Sequence, residues 1–374
     1  MKKSSTANKA AAPSPKEIPA AAFRRALLSW YDKNKRELPW RESTEPYRVL
    51  VSELMLQQTQ VKTVLPYYAS FLKKFPTAKK LAMAPEQEVL AAWAGLGYYR
   101  RARFLQAAAK AIAAQGFPQD EAGLLALPGI GGYTAAALGS ICLGLPLAVV
   151  DGNVIRVLAR VLALDEDAKS SRGFAAVKEA ATSLLDASRP GDFNQAMMEI
   201  GALICSPRGP HCAACPLKKF CKAYRLGRQE DYPRLPQAAA ATAVRKVAAL
   251  VQKGGALLCA PRSLGGRMIG LWHFPEAEIS QAAEPAAAAS ALAATALAKA
   301  PRALGPCGQV SHTVTRYRIR VEAYRFSSAA AAIAPWRWLE AAELKKMPLA
   351  SAERQLLKLF EAALEMDSPL KLKP

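Results

Sequence analysis

LPGIGGYTAAAL, residues 127–138, decides the fold. Gly129 and Gly131 flank Ile130 and permit a tight turn between two helices. The N–H groups that open the following helix then point outward, where they can hold a phosphate oxygen. A hairpin of this kind grips one backbone phosphate and reads no bases. A plain packing corner between helices has the same outline. Just downstream, VVDGNVIRVLAR (149–160) sets Asp151 after an apolar strip and before Gly152 and Asn153. An Asp there either caps the next helix or turns a carboxylate into a cleft. The hairpin upstream favours a cleft that receives a DNA strand.

Further along, Cys205, Cys212, Cys215 and Cys221 are spaced C-x₆-C-x₂-C-x₅-C. Four thiolates in so short a loop can be folded toward one metal centre, a [4Fe–4S] cluster or a Cys₄ zinc site. Two disulfides are the alternative. They suit an oxidising compartment, and the chain carries no sign of export. Its basic N-terminus lacks a continuous apolar run, and no stretch has membrane-spanning strength. The expectation is a cytoplasmic protein that does not enter a membrane, with Cys142, Cys259 and Cys307 as reduced core cysteines.

The 374 residues exceed one ordinary domain. Half of them are apolar and the formal net charge is +21. That excess suggests a polyanionic partner, nucleic acid first. Residues 1–18 read as a disordered basic tail. Helical periodicity begins at Ala20, with Phe23, Leu27, Leu28, Trp30 and Tyr31 on one face, and continues to about Tyr224. Turn signals at LPWR (38–41), GLG (95–97), DGN (151–153) and RPGD (189–192) punctuate it. Residues 227–240 read as a linker. Beyond it QKGG separates two apolar runs, Val244–Val251 and Ala256–Cys259, as in a hairpin. Tyr317, Ile319, Val321 and Ala323 alternate with polar residues as in a half-buried strand. Ala-rich 285–300 reads as a surface helix, and Ser351–Leu364 as another helix. The expected division is a tail (1–18), an all-α region (19–226) with the cysteine loop at 205–221, a linker (227–240), an α+β domain (241–366) and a tail (367–374).

Hairpin, Asp151 and cysteine loop, in this order, resemble the helix-hairpin-helix DNA glycosylase superfamily that carries an iron–sulfur cluster. Within it, endonuclease III-like enzymes place a Lys at the position of Tyr133, where its amine forms a Schiff base with the sugar and cleaves the strand. Tyr133 supplies no amine. The adenine DNA glycosylase family is the closer match: its SE-x-MLQQT signature stands at 52–59, LPWR at 38–41 and GLGYY-x-R-x-R at 95–103. LWHFP (271–275) is similar to an element of that family's C-terminal, Nudix-like domain. The resemblance implies an all-α helix-hairpin-helix glycosylase domain with a [4Fe–4S] cluster loop, followed by an α+β Nudix-like domain without the paired glutamates that hydrolysis of nucleotides requires.

It also implies roles. Adenine leaves badly as an anion, so a general acid must protonate its N7 once the base is flipped out. Glu53 matches the family's acid. Asp151 would stabilise the positive charge left on the sugar, as carboxylates do in glycoside hydrolysis. Asn153 would orient Asp151, and Tyr133 would line the same site. Leu38, Trp40, Arg41 and Glu199, with Arg36 nearby, correspond to the adenine-recognition positions. Gln58 and Tyr98 correspond to wedges that enter the base stack, and Gly129 and Gly131 to the phosphate grip. The cluster ligands would be Cys205, Cys212, Cys215 and Cys221, with Lys218, Lys219 and Lys222 toward DNA. The family reads 8-oxoguanine through an H-x-F-S-H loop. Here the run is His312-Thr313-Val314-Thr315-Arg316, which keeps a hydroxyl at Thr315, loses the aromatic ring and adds a cation. The implied protein is a monomeric enzyme that excises adenine from double-stranded DNA opposite 8-oxoguanine or G, with little lyase activity and shallow discrimination between the two mispairs. A bifunctional glycosylase/lyase and a non-catalytic, cluster-bearing DNA-binding protein are the other readings.

Overall fold

The computed structural model describes residues 18–236, 240–262 and 268–367. All but Ile18 and Asp367 of the expected tails (1–18 and 367–374), and part of the linker, lie outside the described residues. The chain divides into two compact units. One combines the described residues up to Gln57 with Ala107–Pro236; the other combines Gln58–Gln106 with the described residues from 240 onward.

The first unit is helical. Helix Ala20–Asn34 begins where the periodicity begins and buries Phe23, Leu27, Leu28 and Tyr31. These meet Val154, Val157 and Leu158 of helix Gly152–Leu162 and Phe193, Met197 and Ile200 of helix Pro190–Leu203 in one core. Helix Pro46–Leu56 starts with Pro46 at its first turn and with the Glu45 carboxylate accepting from the N–H groups of Tyr47 and Arg48. From Val49 to Met55 every residue of it is buried. Helix Gly132–Leu143 packs against it, and its Ala135, Ala136, Ala137 and Gly139 are all buried. Gly144, with φ +67°, ends that helix in the left-handed region. Asn194, buried, accepts from Val149 N at 3.1 Å and donates to Leu147 O at 2.8 Å. It thereby pins the loop that delivers Asp151. The first part of the expected linker is not free: Tyr232 is buried, accepts from Arg160 Nε and donates to Asp165.

In the second unit, helices Val61–Lys74, Ala78–Met83 and Glu86–Trp93 precede the 95–99 loop. The loop is tied to the C-terminal part: Tyr99 Oη donates to Leu349 O at 3.2 Å and accepts from Gly95 N. Gln87 and Arg103 donate to the carbonyls of Gly270 and Ile269.

The C-terminal part is built on a mixed sheet of β1 (Thr242–Lys253), β2 (Ala256–Pro261), β3 (Trp272–His273), β4 (Glu276–Ile279), β5 (Arg302–Val314), β6 (Tyr317–Ser327) and β7 (Arg337–Glu340). Its main order is β3-β2-β1-β6-β5, with β4 beside β1 and β7 beside β2. The expected hairpin is β1–β2: Lys253 pairs with Ala256 across Gly254-Gly255, and Gly254 takes φ +58°. β1 and β6 run parallel from Thr242↔Tyr317 to Gln252↔Ser327. Helix Ser351–Asp367 covers one face, with Leu356, Leu357 and Phe360 against Val310, Val321 and Ala323.

The Ala-rich segment forms the expected surface helix but is shorter than expected. Its helix ends at Thr295, and Ala289 and Ala293 are buried on the other face of the sheet against Val247, Ala249 and Phe326. Alanine reads as neutral in sequence, but a methyl-surfaced helix can lie close to a sheet. Of the three cysteines expected in the core, only Cys259 is fully buried; Cys142 and Cys307 are half-buried. No described helix is long and apolar enough to cross a membrane.

Candidate active site

Glu53 sits in the middle of helix Pro46–Leu56, with apolar residues around it and 6% of its surface exposed. Burial pushes its carboxyl up to about 7; the Tyr133 hydrogen bond and the Arg41 charge oppose this, and the Asp151 charge adds to it. Tyr133 Oη donates to Glu53 Oε2 at 2.8 Å. Tyr133 stands in the first turn of helix Gly132–Leu143, directly after the glycine hairpin, and its own hydroxyl is held far above its ordinary range by burial and by both carboxylates. The charges of Glu53 and Asp151 therefore act on one phenol, and the structure brings the two acids together.

Asp151 caps helix Gly152–Leu162: Oδ1 accepts from Val154 N at 2.7 Å and Oδ2 from Asn153 Nδ2 at 2.8 Å. Capping and facing the site are thus one arrangement. Burial raises the Asp151 carboxyl, while the donors of Val154 and Asn153 pull it back down. Asn153 is itself held from behind, since Arg156 Nη2 donates to Asn153 Oδ1 at 2.9 Å and to Gly201 O at 2.8 Å. Arg156 Nε donates to Cys205 O at 2.7 Å. A line of hydrogen bonds therefore runs from the cysteine loop through Arg156 and Asn153 to Asp151.

Gly201 has a steric role in this line. A Cβ there would lie 2.5 Å from Asn153 Cβ and 3.1 Å from its Cα. Gly201→Ala is expected to destabilise the protein by about 1–3 kcal/mol, although alanine is the better helix former by about 1 kcal/mol. The overlap dominates because it meets a Cβ backed by main chain, not a flexible tip. Chemical denaturation checks it, and an unchanged midpoint would show that Asn153 can move aside.

At the hairpin, Ile130 N donates to Leu127 O at 3.1 Å and Gly129 takes φ +76°. Gly131 precedes the helix with no side-chain cap, which leaves its first N–H groups to an outside acceptor.

Leu38 and Trp40 are buried, Trp40 in the short turn Pro39–Arg41. Glu199 is 1% exposed and both its oxygens are filled. Oε1 accepts from Arg36 N, Arg36 Nε and Arg41 Nη1; Oε2 accepts from Arg36 Nη2 and Arg41 Nη2, at 2.7–3.1 Å. Burial would raise this carboxyl, but the two guanidinium groups and the Arg36 N–H outweigh it and hold it down to about 2. Glu199 is therefore an anchor for Arg36 and Arg41.

Gln58, Tyr98 and Thr315 lie in the second unit. They share a feature that sequence does not display: each has a left-handed backbone, at φ +56°, +48° and +53°. Among the described residues the only other non-glycine there is Ala163, a helix C-cap. A non-glycine in this region is strained by about 1–2 kcal/mol, and such strain persists where surroundings impose it. Tyr98 is half exposed. Thr315 stands at the tip between β5 and β6, its hydroxyl donating to Val314 O at 2.7 Å.

The four cysteines line one small apolar hollow of about 30 Å³, partly open to solvent, together with Val157, Arg160, Ile200 and Leu217. Arg160, almost fully buried, donates to Cys205 Sγ at 3.2 Å and to the carbonyls of Ser206, Pro207 and Tyr232. Among the described residues no three His, Cys, Asp or Glu side chains converge tightly enough for a single metal ion. Burial pushes the Cys215 thiol up to about 12 and the Cys221 thiol up to about 11.

Sequence reading missed Arg156 and Arg160. Their signal was present: both follow Asn153 at helical spacing, three and seven residues on, which puts them along one side of the helix.

Residues 51–181 match the HhH-GPD superfamily base excision DNA repair protein family, and residues 246–359 match the NUDIX domain. A solved thermostable thymine-DNA glycosylase superposes on 55% of the chain and 97% of its own length, with a TM-score of 0.51 and 28% identity. An adenine DNA glycosylase of Arabidopsis thaliana is 39% identical over 306 residues, covering 71% of this chain and 49% of that protein. The chain spans about half the length of such relatives, or somewhat less. The adenine DNA glycosylase of Schizosaccharomyces pombe is 36% identical over 332 residues, 72% of each chain. With one such relative 36% identical and matched over 72% of both chains, and with a helix-hairpin-helix glycosylase match followed by a Nudix match, the chain belongs to the adenine DNA glycosylase family.

Proposed function

We propose that this protein removes adenine from double-stranded DNA where it is mispaired with 8-oxoguanine or G, by hydrolysis of the N-glycosidic bond. The observation that carries the proposal is the Glu53–Tyr133–Asp151 constellation. Glu53, raised to about 7, holds a proton near neutrality and is the donor to N7 of the flipped base. The C1′–N9 bond then breaks with its electron pair going to adenine, and positive charge develops on the sugar. Asp151, whose oxygens accept from Val154 N and Asn153 Nδ2, is held as an acceptor facing that charge. Water adds at C1′ and gives its proton to the now ionised Glu53, which restores the acid. Tyr133 keeps Glu53 in place. Arg41, anchored on Glu199, is left to meet the base, while Gln58 and Tyr98 enter the stack. Because Tyr133 carries no amine, strand scission is not part of the reaction.

The cysteine hollow fits a [4Fe–4S] cluster held by Cys205, Cys212, Cys215 and Cys221. A mononuclear zinc site would draw four sulfurs to about 2.3 Å from one point, whereas a cluster receives its ligands at the corners of a polyatomic core. The fit is supported by four cysteines lining one apolar hollow. The cluster would hold the 205–221 loop in shape, with Lys219 exposed on it. Anaerobic absorption spectra with iron analysis test this.

The function is tested by incubating the protein with duplexes containing 8-oxoguanine:A or G:A and resolving products with and without alkali. Adenine release with breakage only after alkali is expected. Breakage without alkali favours the bifunctional reading. Val314 offers no ring to stack on the lesion, so single-turnover rates on the two duplexes are expected to differ less than a ring-bearing loop would give. A large preference for the oxidised base would refute that.

A further inference from the structure

The β5–β6 hairpin that ends in Thr315 carries an unpartnered basic face. Side chains alternate along β6: Ile319, Val321 and Ala323 enter the core under helix Ser351–Asp367, while Arg318 and Arg320 point the other way and are exposed. Across the ladder Thr313 pairs with Arg318 and Ser311 with Arg320, both exposed hydroxyl residues on the same face. Further along that face, helix Pro285–Thr295 covers the sheet around Val247 and Phe326. The cover stops short of the hairpin, and the composition changes where it stops, from apolar to arginine and hydroxyl.

The charge on this face is not neutralised internally. The next acid along it, Glu322, is paired with Arg245 at 3.1 Å. Arg318 and Arg320 make no ion pair or hydrogen bond among the described residues. Arg316, at the turn, lies over the Tyr317 ring at 5.3 Å and donates to its hydroxyl at 3.3 Å, which steadies its guanidinium at the surface. Residues two apart on an antiparallel strand are about 7 Å apart, on the scale of successive phosphates of one DNA strand.

We propose that Arg316, Arg318 and Arg320, with Ser311 and Thr313 beside them, form a track for the phosphates of the duplex strand that passes the Thr315 tip. The inference deepens the proposed function by assigning this chain a backbone contact along the hairpin. Such contacts set register and affinity without reading sequence. In this chain they stand where the tip lacks an aromatic ring, so part of the binding shifts from base recognition to the backbone.

The test uses the full-length protein with Arg318→Ala and Arg320→Ala combined, and separately Arg318→Lys and Arg320→Lys combined. Duplex affinity is measured by fluorescence anisotropy across a salt series on 8-oxoguanine:A, G:A and fully paired DNA. Two lost phosphate contacts are expected to weaken all three by about ten-fold and to lower the slope of log K against log salt by about 1.8. The lysine pair should keep most of the slope. An unchanged slope in the alanine pair overturns the track, as does a loss confined to the oxidised lesion or an equal loss in the lysine pair. Wild-type base release is scored in parallel. If the wild type releases no adenine, the proposed function fails, whereas a flat salt response in an active protein fails this inference alone.

Discussion

Glu53→Gln is expected to abolish adenine release, by about 10²–10⁴-fold or more, while duplex affinity stays within a few-fold of wild type. Glutamine keeps the shape and still accepts from Tyr133 Oη, but it has no proton to give. Single-turnover base release against equilibrium binding separates the two effects, and retained turnover would remove Glu53 from the reaction. The pH profile follows from the same carboxyl. Only its protonated form starts the reaction, so wild-type base release is expected to fall as pH rises through about 7. Stability follows with a definite sign. The folded protein holds the Glu53 proton up to about 7, whereas the unfolded chain releases it near 4.5. Folding stability therefore declines as pH rises between those values, by about 3 kcal/mol in total, and Glu53→Gln removes that slope. A variant that is inactive yet more stable at pH 8 is the expected outcome. Equal pH dependence of unfolding in the two proteins would show that Glu53 is not buried as a neutral acid.

Asp151→Asn is expected to reduce base release by about 10²–10³-fold with little change in stability. Asparagine caps a helix about as well as aspartate, so Val154 N keeps its acceptor. What is lost is the negative charge facing the sugar. The substituted amide also presents a donor to Asn153 Nδ2, itself a donor, so Asn153 must turn, and the Arg156 bond to its Oδ1 is disturbed. Thermal unfolding and single-turnover rates together check this. A large drop in stability would make Asp151 chiefly a cap, and an unaffected rate would leave the sugar's charge to other groups.

Much of this was legible in the chain. Helix Ala20–Asn34 followed from the spacing of its apolar residues and the β1–β2 hairpin from paired glycines between apolar runs, whereas Glu53 and Tyr133 were singled out by the resemblance to a family's motifs and not by spacing. The Ala-rich stretch is a helix at the surface as read, but which of its faces meets the sheet was not legible, because periodicity carries no such information when most residues are alanine.

Sequence by itself determined where the chain turns, which side chains can donate or accept protons, and that four sulfurs share one loop, because each depends on neighbours within a few residues. Only tertiary structure decided what those groups are. Glu53 becomes an acid near neutrality because packing strips water from its whole helix. Glu199 becomes an anchor because two arginines about 160 positions away close on it. Gly201 matters because Asn153, distant in the chain, occupies the space of its missing side chain. Burial and long-range pairing set the energy of a charge, and neither is written in the order of nearby residues.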